Sequence, residues 1–292
     1  MTTRHKLFLD TSVCSHVAGG KCISAADWSK VQNYISENCE YVMSPITLYE
    51  LLNGFDKRPD EEFLRDRKVF EVLCPPQGRK RFLRWPSSFV LDTVFGDFRL
   101  KKDFEPNDLD LWVRVVLAAP DKVALRTGKV TLPDYPDQTF ALRLEHFEGA
   151  IEKVKQEHIK ILEELAADLR AGAPLCSVRN KWAATHLKEW GRQVTDEDCS
   201  RLAESLDVAF HHDDVVWGLV NKTLRRNHYN VKEDASAVLD RQQLYYLCDP
   251  TMLMLTDDSK LVHRVKGSAQ QDRLLKFEDL LRCVEDPSRR GG

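Results

Sequence analysis

Lys6-Leu7-Phe8-Leu9-Asp10-Thr11-Ser12 decides the fold: a continuous apolar run stops abruptly at an acid followed by two hydroxyl residues. An unbroken apolar run suits a strand buried on both faces of a parallel sheet, and its abrupt end predicts a loop at the strand's carboxyl terminus. The arrangement recurs far along the chain, where Met252-Leu253-Met254-Leu255 leads into Thr256-Asp257-Asp258-Ser259. Outward from the first strand, Trp28, Val31, Tyr34 and Ile35 fall at helical spacing over 25–37, and Tyr41-Val42-Met43 reads as a second strand, giving a β-α-β pattern. Ser44 then offers an N-cap and Pro45 a first helical position for a helix through Ile46, Leu48, Leu51 and Leu52 that contains Glu50.

A further helix is expected over 59–73, after which Pro75-Pro76-Gln77-Gly78 and Trp85-Pro86-Ser87-Ser88 read as loops. From 99 to 229 the sequence turns charged and helical. Phe140, Leu144, Phe147, Ile151, Val154, His158, Ile161, Leu165 and Leu169 recur at three and four, which predicts one amphipathic helix between 137 and 170, stopped by Ala171-Gly172-Ala173-Pro174. Further helices are expected over 178–191 and 198–228. The α/β signal returns with a helix over 234–248, the strand at 252–255, a last strand at Leu274-Leu275-Lys276-Phe277 and a helix over 278–285. Neither end holds enough strands to close a sheet alone. The expected organisation is therefore a discontinuous α/β core of residues 1–98 and 230–286, an α-helical insertion over 99–229, and a disordered polar tail over 287–292.

At 292 residues with 42% hydrophobic composition the chain can bury a real core. No run approaches the roughly 18 to 20 apolar residues that cross a bilayer, so the expectation is a soluble cytoplasmic protein with no membrane partner. A net charge of −3 lacks the strongly basic balance of many nucleic-acid binders, leaving polyanion binding to local patches: Arg79-Lys80-Arg81 with Arg84, and Lys222 with Arg225, Arg226 and His228. The eight cysteines include no Cys-x-x-Cys pair and read as reduced, mostly buried thiols. His211-His212-Asp213-Asp214 reads as a helix-start cap, because consecutive helical residues point in different directions. Trp182, Trp190 and Trp217 read as core packing rather than base-stacking platforms.

The chemistry lies with the acids. Open parallel sheets place their sites beyond the carboxyl ends of the strands, where Asp10 and Asp258 fall. Asp240 shares a helical face with Ala237, Leu244 and Leu247, and Glu50 shares one with Ile46 and Thr47, so both carboxylates project from faces expected to pack inward. Taken singly, Asp10 and Asp258 are ordinary capping residues and Glu50 and Asp240 ordinary ion-pair partners; Asp234 competes with Asp240, and Asp257 with Asp258. Were they to converge, each pair about 4 Å apart would repel by ~4 kcal/mol at an effective dielectric of 20. A cation would relieve that repulsion, and an all-oxygen set without His or Cys selects a hard ion, Mg²⁺ or Mn²⁺. Such an ion supports phosphodiester hydrolysis.

The strand ending in Asp10-Thr11-Ser12, the helix Ser44-Pro45-Ile46-Thr47-Leu48-Tyr49-Glu50-Leu51, the helix bearing Asp240 before Leu244-Tyr245-Tyr246-Leu247, and the strand Leu253 to Thr256 followed by Asp258 together resemble the PIN domain, in that family's order. The resemblance covers roughly 1–98 and 230–286. It implies a Rossmann-like parallel sheet and a metal-dependent nuclease in which Asp10, Glu50, Asp240 and Asp258 hold Mg²⁺ or Mn²⁺. Thr11, Ser12, Thr256 and Asp257 would then stand behind the ligands, orienting carboxylates or a metal-bound water. It also implies single-stranded RNA as substrate; single-stranded or branched DNA, a toxin component held by an antitoxin, and a catalytically retired scaffold are the alternatives. The long insertion departs from the compact family pattern. It is expected to form a wall or lid that selects substrate, or to engage a protein partner, and a homodimer is a further partner expectation.

Overall fold

The structure, a computed structural model, describes residues 4–20, 22–57, 59–74, 82–97, 106–132, 135–217 and 235–286. The readings made above for 75–78, Arg79 to Arg81, Lys222 to His228, Asp234 and the tail lie outside these residues. Six strands are described: β1 (His5–Leu9), β2 (Cys39–Tyr41), β3 (Lys129–Leu132), β4 (Tyr135–Thr139), β5 (Met252–Thr256) and β6 (Leu274–Lys276). Around them lie helices α1 (Thr11–Gly19), α2 (Ala25–Asn38), α3 (Pro45–Lys57), α4 (Phe63–Leu73), α5 (Pro86–Phe95), α6 (Pro106–Ala118) and α7 (Lys122–Thr127). The longest, α8 (Phe140–Arg170), is followed by α9 (Leu175–Glu189), α10 (Asp196–Ser205), α11 (Asp207–Trp217), α12 (Ala235–Leu244), α13 (Ser259–Arg264) and α14 (Phe277–Glu285).

The chain is mostly helical around a small parallel sheet in the order β2-β1-β5-β6, an α/β arrangement. From β1 the chain crosses to β2 on one side, and from β5 it crosses to β6 on the other, so the connections diverge at the β1/β5 pair. Open sheets form a crevice at such a reversal, beyond the carboxyl ends of the strands. Asp10 follows β1 there and Asp258 follows β5.

Alternation along the strands explains why both central strands are continuously apolar. Leu7, Leu9 and Leu255 enter one buried cluster with side chains of α1 to α4, α6 and α14, whereas Phe8, Met252 and Met254 enter a second with α5 and α8 to α13. Each face of the sheet is thus covered by helices, and side chains from the 99–229 segment take part in both cores. A third, smaller cluster of Ile46, Tyr49, Phe147, Ile151 and Leu239 ties α8 to α3 and α12.

Several elements differ from expectation. The second strand ends at Tyr41, and Met43 makes an isolated bridge to Phe82. Trp85-Pro86-Ser87-Ser88 starts a helix rather than a loop, because Pro86 stands in the first turn, where its missing N–H is not needed. Residues 129–139 form an antiparallel β3-β4 hairpin in the segment expected to be helical. The helix expected over 198–228 is two, α10 and α11, within its described part. The helix expected over 234–248 closes as a 3-10 turn at Tyr245–Cys248. The seven cysteines with described side chains are free thiols, four of them buried.

His211-His212-Asp213-Asp214 is not a helix start but lies within α11, with His212 and Asp213 fully buried. Asp213 Oδ2 accepts from Trp182 Nε1 at 3.3 Å and stands 3.3 Å from His158 Nε2 and 3.9 Å from Arg241 Nη1. Arg241, 1% exposed, also donates to Tyr245 Oη at 2.8 Å. Burial alone would raise the Asp213 pKa, but the adjacent His158 and Arg241 outweigh it and hold the carboxyl well below its usual range. Burial, with the Arg241 charge beside it, lowers His158 to about 4 and keeps it neutral. The durable pair is Asp213 with Arg241, joining α11 to α12. Removing one member of a buried pair leaves the other charge uncompensated, so Asp213→Ala is expected to lower unfolding free energy by about 3–5 kcal/mol in urea denaturation. Asp213→Leu combined with Arg241→Met should recover much of it. A loss below about 1 kcal/mol in the single variant would show that the pair is not what holds the two helices.

Candidate acid site

β1 delivers Asp10 to the crevice, and the residue then caps α1: its backbone is extended (φ −76, ψ 157) and Oδ1 accepts from Thr11 N–H at 2.7 Å. Capping and participation in a wider cluster prove compatible. Asp10 Oδ1 also accepts from Gln243 Nε2 at 3.3 Å, while Oδ2 accepts from Ser12 Oγ at 2.5 Å and Thr256 Oγ1 at 2.7 Å. Four donors from four different residues therefore fix this 5% exposed carboxylate, so its orientation is set before any ligand arrives. Thr256 is completely buried, the last residue of β5, and its hydroxyl stitches the ends of the two central strands together.

Glu50 reaches the same place from α3. Ser44 Oγ caps that helix by accepting from Ile46 N–H and Thr47 N–H, at 3.1 and 3.4 Å. With Ile46 and Thr47 fully buried, Glu50 on the same face is drawn inward. Its Oε2 accepts a short hydrogen bond from Thr11 Oγ1 and another from Gln243 Nε2 at 3.1 Å. Asp240, on α12, accepts from Arg264 Nη1 at 3.1 Å.

Electrostatics ties these groups together. Burial pushes the Glu50 carboxyl up to about 8, with the charges of Asp10 and Asp240 adding to the rise and Thr11 and Lys155 opposing it. Burial likewise raises Asp240 to about 7, Asp10 and Asp258 adding and Arg264 opposing. The Asp10 charge thus acts on both Glu50 and Asp240, that of Asp240 acts on Glu50, and that of Asp258 acts on Asp240. Near neutral pH, protons carry part of the neutralisation that the pocket demands.

The adjacent acids Asp257 and Asp258 separate by geometry. Asp257 Oδ2 lies 2.5 Å from His16 Nδ1, away from the cluster, and its backbone N–H donates to Ser12 Oγ at 3.0 Å. Asp258 caps α13 through Oδ1, which accepts from Lys260 N–H at 2.7 Å and Leu261 N–H at 3.3 Å. Among the described residues, no group of three or more His, Cys, Asp or Glu side chains is gathered closely enough to hold an ion between them. An all-oxygen donor set is the chemistry that hard cations such as Mg²⁺ and Mn²⁺ take.

Sequence reasoning missed Gln243, a fully buried amide that donates to both Asp10 and Glu50 while its Oε1 accepts from Thr47 Oγ1 at 3.3 Å. It lies three residues after Asp240, on the same helical face, and that spacing was the available signal. His16, Arg264 and Lys155 were also missed, and nothing in their local sequence marks them.

Comparison with family models, with curated proteins and with solved structures finds no match. No helix among the described residues is long and apolar enough to cross a membrane.

Because Glu50 and Asp240 have raised pKa values when folded, the folded chain binds more protons than the unfolded chain between about pH 4.5 and 8. Stability from these groups is full below the unfolded values, declines as pH rises from about 4.5, and has been lost once pH passes the folded values of about 7 and 8. The melting temperature is expected to fall between about pH 5 and 8 without divalent metal, and less steeply in Glu50→Gln. Identical pH slopes for the two proteins would contradict the assignment.

Proposed function

We propose that the chain is a metal-dependent nuclease of the PIN type, an endoribonuclease acting on single-stranded RNA. The single observation that carries this reading is the convergence of acids beyond the carboxyl ends of the two central parallel strands, where the Asp10 charge acts on both Glu50 and Asp240 and that of Asp258 on Asp240. Asp10, Glu50, Asp240 and Asp258 would hold Mg²⁺ or Mn²⁺, which when bound supplies an acidified water and neutralises charge at the phosphorus under attack.

The chain's own contribution is orientation. Ser12, Thr256, Thr11 and Gln243 fix the carboxylates of Asp10 and Glu50, and the Arg264 guanidinium holds Asp240. Glu50 and Asp240, whose carboxyls titrate near neutrality without metal, would exchange their protons for the ion on binding it. The Rossmann-like form of the sheet and the role of the 99–229 segment as a substrate-selecting wall belong to the same proposal.

A binding-only role for the fold draws on one observation, the absence among the described residues of three ligating side chains around a common point. Cleavage of labelled single-stranded RNA and DNA in Mn²⁺ separates the readings. RNA cleavage is expected to fall at least ~100-fold in Asp10→Asn, since that change removes the most firmly held carboxylate. Wild-type inertness toward both strands would favour binding alone, and equal turnover by Asp10→Asn would move the chemistry elsewhere.

A further inference from the structure

Two arginines stand beside Asp240, and they differ in exposure. Arg241, its neighbour on α12, is 1% exposed and spends its charge inside the fold, on Tyr245 Oη and beside Asp213. Arg264 comes from the last turn of α13, and its Nη1 donates to Asp240 Oδ2 at 3.1 Å. Both side chains of this second pair reach solvent, 25% and 17% exposed. Asp258 is the N-cap of the same helix. One short helix therefore carries an acid of the site at its start and, at its end, a guanidinium bonded to another.

The contact on Asp240 is a single one. An arginine that neutralises a carboxylate commonly closes on both oxygens through the two prongs of its fork. Here Nη1 reaches Oδ2 alone, and among the described residues Nε and Nη2 of Arg264 make no hydrogen bond. A guanidinium carries five N–H donors in one plane, so most of them remain available while Asp240 holds the group in place. A donor already held in place loses less freedom on binding a ligand. The crevice is cationic along this side: Lys276, at the carboxyl end of β6, donates from Nζ to Ser259 Oγ at 3.3 Å, next to Asp258. Asp10, Glu50 and Asp240 thus approach from β1, α3 and α12, whereas Arg264 and Lys276 belong to α13 and β6. A phosphodiester laid against the acids is repelled by them, and a fixed cation beside Asp240 offsets that repulsion.

We propose that Arg264, held along one edge by Asp240, donates its remaining N–H groups to a non-bridging oxygen of the substrate phosphodiester at the acid site. The proposal rests on the nuclease reading above and supplies the residue that orients the substrate phosphate. It assigns Arg264 no bond made or broken.

The test is fluorescence anisotropy of the whole chain with a labelled single strand that resists hydrolysis, 2′-O-methyl and phosphorothioate linked, in saturating Mn²⁺ over a series of salt concentrations. Wild type, Arg264→Gln, Arg264→Met and Arg264→Lys are compared, with a DNA strand as a parallel arm, and calorimetry measures Mn²⁺ affinity of the same proteins without strand. One phosphate contact to a single strand contributes about 0.7 to the slope of log affinity against log salt. Arg264→Gln and Arg264→Met are expected to lose about that much slope and to bind about tenfold more weakly on every sequence. Arg264→Lys keeps the charge without the planar fork, so it retains the slope and loses less affinity. If the neutral variants keep the wild-type slope, and any loss of strand affinity only follows a loss of Mn²⁺ affinity, Arg264 serves Asp240 alone and only this proposal fails. If wild type binds neither strand at low salt, the nuclease reading fails and takes this proposal with it.

Discussion

Carboxylates that share a half-buried pocket repel one another, and the rest of this structure is organised around that repulsion. Asp10, Glu50 and Asp240 come from the end of β1, from α3 and from α12, places far apart in sequence, and the Asp10 charge raises the other two. Three kinds of compensation are visible. Hydroxyls, an amide and a backbone N–H donate to Asp10 and Glu50, Arg264 opposes Asp240, and protons remain on Glu50 and Asp240 to unusually high pH.

The scaffold that imposes this convergence is the pair of central parallel strands. Both are apolar on two faces because helices cover both faces, and both end where the connections diverge. The 99–229 segment contributes to this scaffold rather than standing apart from it. Its helix α11 is bound through buried Asp213 to Arg241, the neighbour of Asp240 on α12, and its helix α8 packs against α3 and α12. The placement of α12, and with it Asp240 and Gln243, thus depends on contacts made by the segment between the two halves of the sheet.

The parts of this arrangement that could be read from sequence are those whose signal is local. Leu7 to Leu9 and Met252 to Leu255 announce buried strands by composition, and Ser44-Pro45 announces a helix start by capping chemistry. Glu50 and Asp240 were legible because helical periodicity fixes which face a residue occupies. Where a local signal has two meanings, reading failed: Pro86 can break a helix or open one, and the preceding pattern did not decide. The β3-β4 hairpin has a proline inside one short strand and lacks clean alternation, so nothing distinguished it from surrounding charged sequence. Gln243 carries no charge to attract notice. The fate of Asp213 depends on Arg241 and His158, whose proximity only the folded chain establishes.

Buried carboxyls that hold protons near neutral pH should release them when a cation binds, because the same oxygens serve both. Calorimetric titration of Mn²⁺ at pH 7, repeated in buffers of different ionisation enthalpy, measures that exchange. The account predicts binding with release of about one to two protons per ion, the release diminishing in Glu50→Gln and Asp240→Asn. Binding without proton release, or no binding by the wild-type chain, would contradict it.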